Sequence, residues 1–318
     1  MKITEVRIDE DRLLRLLTDG DHEGWSAGVD TQAQLAIEQT YAGLVVGQTP
    51  MQRERIWRQL VDAGRASGLG PSSWAHVDIA LWDLLGKELG LPVFRVIGGF
   101  RDRVPAYLNG NASPDAATAA CDQGYWGYKF PARPGSAMVS TLQAIRAAVG
   151  DEFRLLADGR RQCTLEEALA LGRDLEGVDA HWFEEPLRDS DLTGYKKLSD
   201  GLDVPVVAGT FADHSMLAGT QALTAVAVDR LRACLPRSGG ITDVLKLLRG
   251  AEALGVNCEL EWDRQCGPHA CAHLLGAARN VEMFSADADD GGDLDLSVVD
   301  GELQIPVEPG LGHRFDGR

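Results

Sequence analysis

Hydrophobic positions along the chain fall into two rhythms. Residues 3 to 28 read as short strands: Ile3, Val6 and Ile8 alternate with polar residues, Leu13 to Leu17 follow, and Asp19-Gly-Asp marks a turn. Residues 32 to 65 carry helical spacing, and the strongest helix comes next. Trp74, Val77, Leu81, Leu84 and Leu85 share one face, Ser72-Ser offers an N-cap after Pro71, and Gly90 stops the helix. That face is expected to lie on the small N-terminal sheet. From Val104 the pattern becomes strand and helix in alternation. Candidate strands are Val104 to Leu108, Tyr128 to Phe130, Arg154 to Asp158, His181 to Glu184, Val204 to Ala208, Arg230 to Cys234, Asn257 to Trp262 and Val281 to Phe284. Crossover helices between eight such strands predict an α/β fold with a parallel barrel. Ala286 to Asp295 reads as an acidic, mobile loop, and Leu303 to Val307 as a last strand.

Three strand ends concentrate the candidate chemistry. Leu155-Leu-Ala-Asp158, Trp182-Phe-Glu184 and Val206-Val-Ala-Gly-Thr210 each stop on a polar residue, at equal intervals of 184 − 158 = 26 and 210 − 184 = 26. In a (β/α) barrel such residues meet over one mouth, where two carboxylates can hold a divalent cation.

Composition narrows the partners. The 318 residues include 31 Lys and Arg against 48 Asp and Glu, a net charge of −17. Nucleic acid and anionic membrane are both bound through basic surface, so neither is expected as a partner. The N-terminus is already alternating strand and not an apolar signal region. With no CxxC pairing among six cysteines, the reading is a cytoplasmic protein with reduced thiols.

Further motifs carry a resemblance. Asp78-Ile-Ala-Leu-Trp-Asp-Leu-Leu-Gly-Lys87, Leu91-Pro-Val-Phe-Arg-Val-Ile-Gly-Gly99, Phe183-Glu-Glu-Pro-Leu187, Ser238-Gly-Gly-Ile-Thr242 and Pro309-Gly-Leu-Gly312 stand in an order that resembles the enolase superfamily, in its mandelate racemase and muconate-lactonizing branch. The resemblance implies a (β/α)7β barrel at 103–285, an α+β capping domain at 1–102, and a segment at 286–318 returning to it. It also implies a Mg²⁺ held by three barrel carboxylates, a small-molecule carboxylate substrate, proton abstraction at its α-carbon, and a homo-oligomer. Lys-x-Pro at Lys129 to Pro131 and Pro186 to Tyr195 are similar to acid-sugar dehydratases.

Against the family pattern, Asp158 and Glu184 match the first two metal ligands, and Thr210 stands at the third. A neutral hydroxyl is a poor ligand for a hard cation. Asp213 is a weaker substitute. Lys129 matches a lysine of the family's Lys-x-Lys strand, whose second lysine is Pro131 here. Arg160 replaces an Asn and brings a permanent cation. Cys234 stands where relatives carry Asp or Lys, and Glu261 where they carry a catalytic His. Glu261 reads equally as a buried base with a raised pKa and as the salt-bridge partner of Arg160. Glu185 is expected to face away and make a structural ion pair. His269 and His273, on the following helix pattern, read as packing or capping residues and not as catalysts. Only about four residues, Asp9 to Arg12, occupy the place of the family's long lid loop, so an open site is expected. Two function classes follow. One is an acid-sugar dehydratase or epimerase, with Lys129, Asp158 and Glu184 binding and Glu261 with Cys234 moving protons. The other is a non-catalytic or metal-free relative whose cations and carboxylates form an ion-pair network.

Overall fold

The computed structural model describes residues 1–209, 215–225, 227–262, 268–287 and 296–312. Strands β1 (Ile3–Ile8), β2 (Leu14–Thr18) and β3 (Gly24–Ser26) form an antiparallel sheet in that order. Ile8 pairs with Leu14, so the link between β1 and β2 is as short as expected. Asp9 closes it, its Oδ1 accepting from Leu13 N at 2.9 Å.

The helix Ser72–Leu89 is buried without interruption from Ser73 to Gly86. An expectation of one apolar face is therefore too narrow. One side packs with Leu14, Leu16, Ile37 and Ile56 in the capping core, and Ile79, Trp82 and Leu85 belong to the barrel core. A helix enclosed on all sides buries apolar residues beyond one stripe, and its buried polar residues, Asp78 and Asp83 among them, are bonded to neighbouring segments. The expected Ser72 cap is also corrected. Pro71 occupies the cap position with no side-chain bond, and Ser73 Oγ donates to Gly70 O at 2.6 Å. Gly90 ends the helix in the left-handed region, φ 65°.

The barrel strands are β4 (Arg103–Asn109), β5 (Gly127–Pro131), β6 (Arg154–Asp158), β7 (Trp182–Glu184), β8 (Val206–Ala208), β9 (Arg230–Cys234), β10 (Asn257–Glu261) and β11 (Phe284–Asp287). They are parallel neighbours from β11 and β4 through to β10. No strand ladder joins β10 to β11 among the described residues. That seam is spanned by single bonds, Cys258 N to Asn280 O at 2.8 Å and Trp262 Nε1 to Ser285 O at 2.8 Å. Strands β12 (Val298–Val299) and β13 (Glu302–Gln304) add an antiparallel hairpin to β4, shorter than the Leu303-to-Val307 strand expected. The loop reading at Ala286 to Asp295 is corrected at its start, since Ala286 and Asp287 belong to β11. Residues 288–295 lie outside the described residues.

The shared motifs are the joints of this assembly. Thr242 donates through N and Oγ1 to Asp78, at 2.8 and 2.5 Å, and its Oγ1 accepts from Trp82 Nε1 at 2.9 Å. Gly240, φ 92°, precedes it, and a Cβ there would lie 2.7 Å from Asp78 Oδ2. Asp83 accepts from Trp25 N (2.9 Å), Lys87 Nζ (2.6 Å) and Leu311 N (2.8 Å), which ties the C-terminal segment to the capping sheet. His273 Nδ1 accepts from Phe94 N at 3.2 Å.

His273 is fully buried, and burial pushes its pKa down to about 3. The unfolded chain takes up a proton on this residue below about pH 6.5, and the folded chain refuses it until about pH 3. The unfolded state thus binds more protons in that window, and stability falls as pH falls. Urea unfolding at pH 7, 6 and 5 should show a slope flattened by about one proton, roughly 1.4 kcal/mol per pH unit below pH 6.5, in His273→Gln. Parallel profiles for variant and wild type would contradict this assignment.

Candidate active site

Side chains alternate along each barrel strand, and the inward set can be followed from the base upward. Tyr107, Leu156, Trp182, Val207 and Met283 form a small apolar cluster in the barrel interior. Around and above it the interior is charged. Lys129, Asp158 and Glu184 reach the C-terminal mouth from consecutive strands, with Asp158 level with Glu184 in the β6–β7 register.

Glu184 is 5% exposed. Its Oε1 and Oε2 accept from Lys129 Nζ at 3.0 and 3.2 Å, and its Oε2 also accepts from Arg232 Nη2 at 2.6 Å. Arg232 is 1% exposed, and its Nε and Nη1 have no hydrogen-bond partner among the described residues. Strand β8 lies between β7 and β9, and Gly209 at its end admits the close approach: a Cβ there would lie 2.0 Å from Arg232 O. Burial opposes the charge on Glu184, yet Arg232 and then Lys129 hold its carboxyl below the ordinary range. Burial likewise opposes the Lys129 charge, and Glu184 outweighs it, so the ammonium stays above the usual lysine value. The ion pair with Glu184 thus favours the charged form of Lys129. Asp158 differs. Burial first, and the Glu184 charge second, raise its pKa, and its Oδ1 accepts from Arg160 N at 2.8 Å.

A cleft of about 260 Å³ opens over this layer, lined among others by Asn109, Lys129, Asp158, Arg160 and Glu261. Arg160 and Arg161 both take the left-handed conformation, φ 52° and 60°. The turn leaves Arg160 exposed at the cleft and sends Arg161 to Glu185, Nη2 to Oε2 at 2.5 Å. Glu185 thus makes the structural ion pair expected of it. Glu261 is not the buried residue anticipated. Its side chain is 37% exposed, and its partner is Arg237 at 3.1 Å, not Arg160. Cys234 is fully buried and does not line the cleft. Burial, then the charge of Glu261, pushes its thiol up to about 11, and its Sγ accepts from Arg237 Nε at 3.2 Å. Thr210 and Asp213 lie outside the described residues.

These donors do not fit a divalent-cation centre of three carboxylates. Both oxygens of Glu184 are already bonded to cationic nitrogens, the third position is a threonine in the sequence, and no group of three His, Cys, Asp or Glu suited to a metal occurs among the described residues. Arg232 and Arg237 are absent from the sequence-based set. A signal existed for the first: in Arg230-Leu-Arg-Ala-Cys234 polar residues take every second position, which turns Arg232 inward below Cys234.

The described residues should separate in their effect on stability. Arg232→Met leaves Glu184 buried with one cation fewer and should cost about 3–5 kcal/mol in urea unfolding. Arg160→Ala at the exposed rim should stay within about 0.5 kcal/mol. Equal, small costs for the two would contradict the buried pairing.

Comparison with known proteins agrees with this architecture. Residues 13–98 match the mandelate racemase / muconate lactonizing enzyme N-terminal domain, and residues 113–318 match the enolase C-terminal domain-like family. The D-galactarolactone cycloisomerase of Agrobacterium fabrum is 31% identical over 339 residues, covering 94% of this chain and 87% of that relative. The L-talarate/galactarate dehydratase of Salmonella typhimurium is 31% identical over 294 residues, 84% of this chain and 70% of that one. Among solved structures, the D-glucarate dehydratase of Agrobacterium tumefaciens, in complex with magnesium, aligns with a TM-score of 0.83 at 31% identity over 98% of this chain and 93% of its own.

Proposed function

The chain belongs to the mandelate racemase and muconate-lactonizing branch of the enolase superfamily, and we propose that it is a lyase or isomerase acting at the carbon α to the carboxylate of an acid sugar. Dehydration and cycloisomerisation are the reactions its relatives' names describe. The observation that carries the reading is the cleft at the strand ends, where cations and carboxylates face one another across a space sized for a small polyhydroxy acid. Lys129 and Arg160 receive the substrate carboxylate, Lys129 as a fixed donor and Arg160 from the open rim. Their charge stabilises the enediolate that forms when the α-proton leaves. Glu261, half-exposed at the opposite wall and oriented by Arg237, takes that proton. Asn109 stands at the cleft wall with its Nδ2 donating to Ser285 Oγ at 2.7 Å and Asp287 Oδ1 at 2.8 Å, which fixes the amide there.

Magnesium serves relatives of this chain as a bound ion in their solved structures. The described donors of this chain do not fit that ion, since both Glu184 oxygens already accept from cationic nitrogens. The site is expected to be open, with the short β1–β2 link supplying no lid.

Incubating the protein with galactonate, galactarate and glucarate in D₂O and following the α-proton by NMR tests the reading. Exchange or loss of the α-proton is expected for at least one of these acids. Glu261→Gln and Lys129→Met should each lower kcat/KM by about 10²-fold or more. A preparation that leaves the α-proton of every acid in place, with and without Mg²⁺, would remove the proposal.

A further inference from the structure

We propose that Arg232 is the positioning residue of a metal-independent site, in which its guanidinium and the Lys129 ammonium close an ion-pair triad on Glu184 in the place of a divalent cation. The inference rests on the same cleft as the proposed reaction.

Four observations carry it. First, Arg232 Nη2 stands 2.6 Å from Glu184 Oε2 and Lys129 Nζ 3.0 Å from Oε1, so the two oxygens that would face a cation already face donors. Second, Arg232 is 1% exposed, and a buried guanidinium beside a second, divalent cation would add repulsion with no water to screen it. Third, the sequence departs from the family pattern in one direction. Thr210 stands in place of a carboxylate and Arg160 adds a positive charge at the mouth, with Arg232 buried beneath it, while Asp158 and Glu184 remain. Summed over Lys129, Arg160 and Arg232 against Asp158 and Glu184, the group carries 3 − 2 = 1 net positive charge before any ion is added. Of those cations Lys129 and Arg160 line the cleft, facing Asp158, Glu261 and Asp287, so positive charge is local to the Lys129–Arg160 side. Fourth, a Cβ at Gly209 would meet the backbone of residue 232, so β8 and β9 pass closely beside the position from which Arg232 reaches Glu184.

Arg232 does not reach the cleft. It acts through Glu184, holding that carboxylate against Lys129 so that the ammonium is presented at the mouth in one position. The fixed charges do what a cation does elsewhere, without an ion to be loaded or lost.

The test reads metal binding and not turnover. Melting curves of the wild type are recorded in EDTA, in about 10 mM MgCl₂, and in NaCl of matched ionic strength, since an ion that binds only the folded state raises its stability in proportion to ln(1 + [Mg²⁺]/Kd). The same series is run on Thr210→Glu/Arg232→Gln, which restores a third carboxylate and removes the buried cation. The wild type should melt at one temperature in all three solutions. The double variant should melt lower in EDTA and recover with Mg²⁺. A wild-type melting temperature that climbs with Mg²⁺ beyond the NaCl control would overturn the proposal, as would a folded double variant indifferent to Mg²⁺. Should the double variant not fold in EDTA, refolding in Mg²⁺ counts as the expected result. Failure to refold in either solution leaves the wild-type titration by calorimetry to decide: heat of Mg²⁺ binding at Kd below millimolar overturns the proposal, and its absence supports it. A chain that turns over no acid sugar yet ignores Mg²⁺ would sink the proposed reaction and leave this inference standing.

Discussion

A carboxylate buried between two cations organises this barrel. Glu184 sits at the end of β7 with almost no access to water, and an unpaired charge there would cost several kcal/mol. Lys129 and Arg232 supply the compensation from two other strands, β5 and β9. The consequence is that three strands are bonded through one side chain, and the charged layer above the apolar cluster is held at a fixed geometry. Breaking any arm leaves a buried charge with fewer partners, which is why such a layer is kept or lost as a unit. Fixing charges before a substrate arrives is also what electrostatic stabilisation of a developing oxyanion requires.

The mouth is positioned by a second constraint far from the chemistry. Helix 72–89 is enclosed on all sides, and its Asp78, Trp82 and Asp83 each bond to segments from the barrel or the C-terminal region. Thr242 follows the two glycines after β9, so the joint that docks the capping layer lies a few residues past Cys234 and the buried arginine. The basal end of the barrel is held by another charged group. Glu282 accepts from His181 Nε2 at 2.9 Å and from Arg230 Nη1 at 2.5 Å, which ties the approach to β11 to β7 and β9 beside the seam that has no ladder. Conservative packing at the base and variable charge at the mouth is the division of labour barrels commonly show.

Much of this was legible in the residues. Alternating strand and helix from Val104 placed seven of the barrel strands, because a buried parallel strand needs a short apolar run and a crossover helix needs a longer periodic one, while the eighth, expected at Val281 to Phe284, begins only at Phe284. The mouth position of Lys129, Asp158 and Glu184 followed from strand ends. What was not legible depends on geometry that periodicity does not encode. Period two turns Arg232 inward, but which carboxylate it meets across β8 is set by barrel curvature and by Gly209. The partner of Glu261 is Arg237 and not Arg160, because left-handed backbone at Arg160 and Arg161 turns the first outward and the second to Glu185. The full burial of helix 72–89 was hidden because a one-sided apolar stripe is what a window of sequence displays, while the second contact comes from residues about 160 positions later, at Thr242.

The most direct measurement is a crystal of the wild-type protein soaked in a high concentration of Mn²⁺, with anomalous scattering recorded at the metal edge. The account predicts no anomalous peak between Asp158 and Glu184, with Arg232 Nη2 and Lys129 Nζ still bonded to the Glu184 carboxylate. A peak coordinated by both carboxylates, with the arginine swung away, would contradict it.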